Sequence, residues 1–130
     1  MVIYEKFSRF WGWKMFLQPN EYEYYLRPGK TDMRFGARRL AALVITEMQQ
    51  QVLGKSMFLF CGSSNKVIKV LVWDKNGFWL GTKRLMGKGS FAWPSDGEAA
   101  QKVELNQILQ MLSGQDCWRR FAPLKGTYFV

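Results

Sequence analysis

The chain has 130 residues, enough for one domain with a modest core, and 48% of them are hydrophobic. Its 19 lysines and arginines exceed its 10 acids, so the net charge of +9 favours an anionic partner, nucleic acid before an acidic protein or lipid surface. Because histidine is absent, the composition excludes a Ser-His-Asp or Cys-His triad and a histidine-ligated zinc site. The two cysteines are interpreted as reduced thiols of a cytosolic protein, with a single disulfide as the alternative.

No apolar stretch has the length of a membrane span, and Met1–Leu17 lacks the apolar core of a signal peptide. We therefore expect a cytoplasmic protein without a membrane partner. Residues 1–18 are rich in aromatic side chains that follow no period, and we interpret them as an N-terminal extension. Residues 19–130 are predicted to form a single α+β domain.

The first predicted elements are a strand and a long helix. The β-prone segment Glu21–Leu26 places Tyr22, Tyr24 and Leu26 on one side and Glu21 and Glu23 on the other, which is typical of a strand. Thr31 and Asp32 are predicted to cap a helix over Met33–Val52, and Gly54 is its expected end. Apolar residues at spacings of three and four predict its buried face: Met33, Ala37, Leu40, Val44 and Met48.

A series of strands is predicted after this helix. Met57–Cys61 is a compact apolar run that fits a central strand. Val67–Trp73 and Phe78–Leu85 flank an Asn-Gly pair, which predicts a hairpin with a two-residue turn at Asn76 and Gly77.

The remaining predicted elements are short. Ser90–Pro94 is expected to add a fourth strand, followed by a polar loop over Ser95–Gln101. Asn106 can cap a helix whose apolar residues are spaced at three and four, and Gly114 is its expected end. The predicted fold class is therefore α+β: an antiparallel meander of three to four strands, with a long N-terminal helix packed on one face and a short C-terminal helix.

The hairpin and the segment that follows it carry a local excess of positive charge. Lys66–Trp93 holds six lysines or arginines and one acid. The predicted turn pairs Lys69 directly with Arg84, an arrangement that needs a counter-ion such as a phosphate. The same face carries Trp73 and Phe78, on which bases could stack. The alternative is a solvated sheet face whose aromatic side chains contact the N-terminal extension or a partner protein.

We therefore predict a nucleic-acid-binding surface made of cations and two aromatic side chains. It comprises Lys69, Trp73, Lys75, Phe78, Lys83, Arg84 and Lys88, with Arg34, Arg38, Arg119 and Arg120 as secondary candidates. No recognition helix with a base-reading pattern accompanies them.

The acidic residues do not form a convincing catalytic set. A metal-dependent nuclease needs about three converging carboxylates, and Asp32, Asp74 and Asp96 are the set that could be proposed. Local roles explain each of them: a helix cap, a hairpin turn and a Ser-Asp-Gly loop. The sequence therefore predicts no catalytic residue, no metal, no cofactor and no small-molecule substrate.

Several short motifs occur in one order along the chain. They are Pro28-Gly-Lys-Thr-Asp-Met-Arg34, Trp73-Asp74 with Asn76-Gly77-Phe78, Lys83-Arg84-Leu85, Phe91-Ala-Trp-Pro94 and Trp118-Arg119. From Glu21 to Arg120 they resemble the TnpB accessory transposition proteins, second-reading-frame products of the bacterial insertion-sequence family numbered sixty-six, distinct from the RNA-guided nucleases of that name. The resemblance implies a non-catalytic role in transposition beside a transposase and another small accessory protein.

Two segments depart from the family pattern. Phe35-Gly36 stands where the family tends to have Lys-Gly, and Cys61–Asn65 stands where it tends to have an arginine-rich loop. The second departure removes phosphate contacts that the resemblance would imply for this loop. Two functions stay open: a DNA-binding accessory protein, and an adaptor that docks on the transposase without contacting DNA. The aromatic content of the chain motivates the second.

Overall fold

One mixed five-stranded sheet organises residues 22–95 and 101–113, the part of the chain that this computed structural model describes. Its strands are β1 (Glu23–Leu26), β2 (Ser56–Cys61), β3 (Val67–Asp74), β4 (Gly77–Arg84) and β5 (Gln101–Val103). They lie in the order β4-β3-β2-β1-β5, with β1 and β2 parallel and all other neighbours antiparallel. The described helices are α1 (Ala37–Thr46) and α2 (Leu105–Leu112), and neither has the length and hydrophobicity to cross a membrane.

Both faces of the sheet carry apolar side chains, because alternate residues of each strand point to opposite sides. On the face that we call the α1 face, Leu40 and Val44 of α1 pack with Phe58 of β2. On the α2 face, Leu59 of β2 packs with Ile108 of α2. A parallel pair of strands needs a crossover connection, and α1 supplies it between β1 and β2.

The prediction of a long N-terminal helix over Met33–Val52 is wrong, because α1 covers only Ala37–Thr46. Gly36 is its N-cap, in an extended conformation, so Thr31 and Asp32 do not cap it. Beyond the helix, Gln49 takes a positive φ of 55°, which breaks the helical path.

The apolar spacing that predicted the longer helix has another cause. Met33, Met48 and Val52 contact the α1-face core from the turns that precede and follow α1. Apolar periodicity alone does not separate a helix from turns that return to the same core.

The predicted antiparallel meander is also wrong, because β1 lies parallel to β2 and separates it from β5. Ser90–Pro94 is not a strand. Phe91, which belongs to this segment, is buried in the core. Its backbone N–H donates to the Asn65 carbonyl at 2.6 Å. The short C-terminal helix is present as α2, with Glu104 rather than Asn106 at its N-cap.

The β3–β4 hairpin is confirmed, but its turn lies at Lys75 and Asn76, one residue before the predicted turn. Lys75 takes the positive φ, 57°, that the tight turn requires. The pairing therefore shifts by two residues, and Lys69 lies opposite Thr82 rather than Arg84. The predicted like-charge pair does not exist, although each residue stays on its predicted face.

Candidate nucleic-acid interface

The predicted hairpin surface is not one patch, because its cations are divided between the two faces of the sheet. Lys69 lies on the α1 face, where its ammonium donates to the Phe35 carbonyl at 2.9 Å. Lys83 lies on the α2 face, where its ammonium donates to the Leu112 carbonyl, and burial lowers the pKa of Lys83. Each ammonium group thus joins the sheet to the layer that covers it.

The two predicted aromatic residues form a pair near the hairpin turn. The rings of Trp73 and Phe78 lie edge to face, with their centroids 5.0 Å apart and an interplanar angle of 69°. Both side chains are half-buried, and Phe78 packs against the α1-face core. Protein contacts therefore occupy part of the surface that was predicted to stack on bases.

The other candidates are scattered or lie outside the described residues. Lys75, Lys88 and Arg38 are exposed, on the hairpin turn, the segment after β4 and the first turn of α1. Several features named from the sequence fall outside the residues that the structure describes: Asp96 with most of the predicted Ser95–Gln101 loop, Gly114, Cys117, Trp118, Arg119, Arg120 and the extension at residues 1–18.

A cleft of about 480 Å³ brings together two predicted arginines that are far apart in the sequence, Arg34 and Arg84. One wall is the loop that follows β1, and the other is the β2–β3 turn with the end of β4. We call this the cationic cleft and define it by six of its lining residues: Lys30, Asp32, Arg34, Ser63, Ser64 and Arg84.

The parallel pairing of β1 and β2 creates the cationic cleft, because the carboxyl ends of parallel neighbours lie at the same edge of a sheet. After β1, the backbone N–H of Thr31 donates to the carbonyl of Cys61, the last residue of β2, at 2.8 Å. β3 begins at this edge with Val67, and its partner in β4 is Arg84. The loop after β1, the β2–β3 turn and the end of β4 therefore bring their side chains to one place.

Lys30 is the cleft cation that sequence reasoning missed, because the sequence indicates only a turn at this position. Its Nζ donates to the Ser63 carbonyl at 3.0 Å and to Oδ1 of Asn65 at 2.9 Å. These bonds hold the ammonium against the β2–β3 turn. The signal that could have found it is a parallel β1–β2 pair, which places the turns after both strands side by side.

Asp32 is the one acid among the residues that line the cationic cleft, and Arg34 pairs with it. Nε and Nη2 of Arg34 lie 3.0 and 2.7 Å from Oδ1 and Oδ2 of Asp32, and the backbone N–H of Arg34 also donates to Oδ1. The side-chain bonds from Arg34 are the main cause that lowers the pKa of Asp32 to about 2. The Arg34 side chain is still 89% exposed, and its guanidinium has more N–H donors than this contact uses.

The cationic cleft has an excess of positive charge. Lys30, Arg34 and Arg84 against Asp32 give 3 − 1 = +2. Arg84 is exposed, and its guanidinium makes no ion pair or hydrogen bond with the other described residues. Exposed guanidinium groups beside a second cation suit the oxygen atoms of a phosphate.

The carboxylates considered for a nuclease do not converge within the described residues. Asp32 lies in the cationic cleft with Val67, the first residue of β3, whereas Asp74 ends that strand and accepts a bond from Nε1 of Trp79 at 3.1 Å. Val67 and Asp74 are about 23 Å apart along the strand. In residues 22–95 and 101–113, no group of three or more cysteines or acids could hold a metal ion.

Comparison with known proteins identifies the family. Over 95 residues the chain is 38% identical to the uncharacterized protein y4hO of Sinorhizobium fredii (strain NBRC 101917 / NGR234), an alignment that covers 73% of this chain and 81% of that protein. No solved structure is significantly similar to the present chain. The family described as "IS66 Orf2 like protein" matches residues 22–122, which include both walls of the cationic cleft. The predicted resemblance is therefore confirmed, and this chain belongs to the TnpB family of IS66 insertion sequences.

Proposed function

We propose that this accessory protein of insertion-sequence transposition binds the phosphate backbone of DNA through the cationic cleft. The observation that carries the proposal is the convergence of Lys30 and Arg34, from the loop after β1, with Arg84, at the end of β4, around one cleft with a single acid. Membership of the IS66 Orf2-like family supports the accessory role in transposition. The proposed partners are DNA, the transposase and another accessory protein.

The side chains around Arg34 support an anionic ligand at this place. Asp32 holds Arg34 through a bidentate contact, so little side-chain freedom is left to lose when a phosphate binds. Arg39 stacks over the ring of Phe35 at 4.3 Å and contributes to the low pKa of Asp32, which places a further cation close to the same carboxylate.

The first turn of α1 adds to this positive potential. It contains Arg38 and Arg39 and no acid, although the helix dipole favours acids rather than bases at an N-terminus. The arginines therefore oppose the local stability of α1. A bound phosphate would offset that cost, because it is attracted by the arginines and by the helix dipole alike.

A salt-dependent titration tests the proposal. Fluorescence anisotropy with labelled insertion-sequence-end DNA and with unrelated linear DNA would be measured between about 50 and 200 mM salt for wild type and for Arg34→Ala/Arg84→Ala. Each phosphate that a variant no longer neutralises should reduce the slope of log K against log salt by about 0.9, so the slope for the double variant should fall by nearly 2. Its affinity at low salt should fall by about tenfold for each arginine.

The matched control is Lys55→Ala/Lys102→Ala, which removes two positive charges elsewhere. Lys55 directly precedes β2, at the end opposite the cationic cleft, and Lys102 lies in β5, four strands or about 19 Å from β4. We expect this variant to bind nearly as wild type does. Equal losses of affinity in both double variants would show that only the net charge matters, and no binding of wild type at low salt would refute the proposal.

The adaptor function is the second candidate from the sequence, and its motivation is the aromatic content. Trp73 and Phe78 contact each other, and Trp79 and Trp93 pack against the α2-face core, so much of that content serves the fold. An adaptor that does not contact DNA would co-purify with transposase after nuclease treatment, and Arg34→Ala/Arg84→Ala would leave this association unchanged.

A further inference from the structure

β4 lies at one edge of the sheet, and its outer backbone groups can be identified from its pairing with β3. The backbone N–H of Leu85 donates to the Lys66 carbonyl at 2.7 Å, so this pair, next to Val67 and Arg84, is hydrogen-bonded. In an antiparallel pair, hydrogen-bonded and non-hydrogen-bonded positions alternate. Four residues of β4 therefore direct their backbone groups at β3, and four direct them outwards: Phe78, Leu80, Thr82 and Arg84.

Within the part of the chain that the structure describes, no segment covers this outer edge, and its only protection against pairing is the charge of Lys83 and Arg84. The backbone groups of the four outward residues bond to no other residue that the structure describes. β4 is eight residues long and contains no proline, and its pairing with β3 has no bulge, whereas the opposite edge, β5, has only three residues. Natural edge strands are usually short, bulged or covered, because a long regular edge adds a strand from another chain.

We propose that a second copy of this chain pairs with this edge, so that two β4 strands run antiparallel about a two-fold axis at Gly81. One register uses all four outward residues: Phe78 pairs with Arg84 of the second copy, and Leu80 with Thr82. These are the hydrogen-bonded positions, and Gly81 faces Gly81 at a non-hydrogen-bonded position. The two sheets then form one sheet of ten strands.

The side chains of β4 are complementary to themselves in this register. Directly opposed residues lie on the same face, so Arg84 meets the aromatic ring of Phe78 rather than another cation. If the two-fold axis lay at Lys83 instead, the Lys83 side chains of the two copies would face each other. Only Thr82 and Arg84 would then pair within β4, and the other two outward residues would have no partner in it.

This dimer does not rest on the proposed DNA binding, although Arg84 takes part in both the dimer pairing and the cationic cleft. It brings the hairpin turn of one copy, with the exposed Lys75, alongside the segment after β4 of the other, with Lys88. Two cations that are scattered in the single chain would then lie near Arg84. Each copy carries a net charge of +9, so their mutual repulsion opposes the dimer and is weakened by salt.

Engineered disulfides test the register. Residues facing each other at a non-hydrogen-bonded position have Cα atoms about 4.5 Å apart, which a disulfide can bridge. In a Cys117→Ser background, Gly81→Cys should therefore become a covalent dimer under mild oxidation. Thr82→Cys is the matched control, because two residues 82 would be about 8 Å apart, too far for a disulfide. Equal cross-linking of both variants, or of neither, would overturn the proposal.

Sedimentation equilibrium without DNA provides the second test. At high salt, wild type should approach about 30 kDa, twice the 15.2 kDa of one chain. Thr82→Pro removes an outward N–H but no bond to β3, so it should remain folded by circular dichroism and sediment as a monomer. Thr82→Ala keeps the N–H and should dimerise.

Salt separates this proposal from the DNA-binding proposal. Higher salt should strengthen the dimer of two positive chains and weaken DNA binding, so the failure of one does not imply the failure of the other. A wild-type protein that stays a monomer at every protein concentration and salt concentration would overturn the dimer. The edge of β4 would then be open to a strand of a different protein.

Discussion

The Cβ position of Gly62 lies 2.6 Å from Cγ of Met33, closer than a real Cβ approaches another atom. Gly62 begins the β2–β3 turn, and Met33 belongs to the loop after β1, so this contact joins the two walls of the cationic cleft. A side chain at position 62 would push the walls apart, and with them Arg34 and Arg84.

Gly62→Ala should therefore destabilise the protein by about 1–3 kcal/mol, the usual cost of overpacking a core. Met33→Ala should relieve most of this cost, so a double-mutant cycle by urea denaturation should show strong coupling. Gly77→Ala is the control, because no atom lies within 4 Å of its Cβ position. Additive effects of Gly62→Ala and Met33→Ala would show that this contact does not limit residue 62.

The ion pair in the cationic cleft predicts an unusual titration. Because Arg34 lowers the pKa of Asp32 to about 2, the stabilisation from this contact is complete above the unfolded value of about 3.9. It is lost as the pH falls towards 2. An NMR titration of the Asp32 carboxyl should give a midpoint near 2 in wild type and a higher midpoint in Arg34→Ala, which keeps the backbone N–H bond of residue 34 and the nearby Arg39. A normal midpoint in wild type would contradict the contact.

Cys61 should be an unreactive thiol. Burial in the α2-face core raises its pKa to about 11, so almost no thiolate exists at pH 8. Iodoacetamide should modify Cys61 only after the protein is unfolded in guanidinium chloride, as peptide mass spectrometry would show. Rapid modification of this residue in the native protein would mean that the α2 face opens readily.

Phe91 should contribute strongly to stability even though it lies in a loop. It is 1% exposed and packs in the α2-face core, so Phe91→Ala should cost about 3–5 kcal/mol. Met86 lies in the same segment but is 78% exposed, and Met86→Ala should change the free energy of unfolding by less than about 0.5 kcal/mol. Similar decreases in stability for both variants by thermal or urea denaturation would argue against the burial of Phe91.

Local patterns predicted the elements whose neighbours are close in sequence. The β3–β4 hairpin depends on a two-residue turn, and α2 on apolar residues spaced at three and four, so both could be located from short windows. The observed turn lies one residue before the predicted one, because Lys75 adopts the positive φ that Gly77 was expected to adopt.

The sheet order could not be predicted, because it depends on contacts between distant segments. β5 is three residues long, and one strand of its length is not distinguishable from a loop by pattern. The insertion of β1 between β2 and β5 therefore left no local signal, and the proximity of Lys30, Arg34 and Arg84 follows from the parallel pairing of β1 with β2. Arg34 and Arg84 were both predicted as candidates, but their proximity was not.

The position of β1 also imposes an order on synthesis and folding. One of its neighbours, β5, begins 75 residues after Leu26, the last residue of β1. At about 5–20 residues per second, a ribosome needs roughly 4–15 s to make that stretch, far longer than the microseconds in which a hairpin such as β3–β4 closes. β1 therefore stays incompletely paired for seconds, and protection from exchange of the amides that face β5 should appear only after β5 has been made.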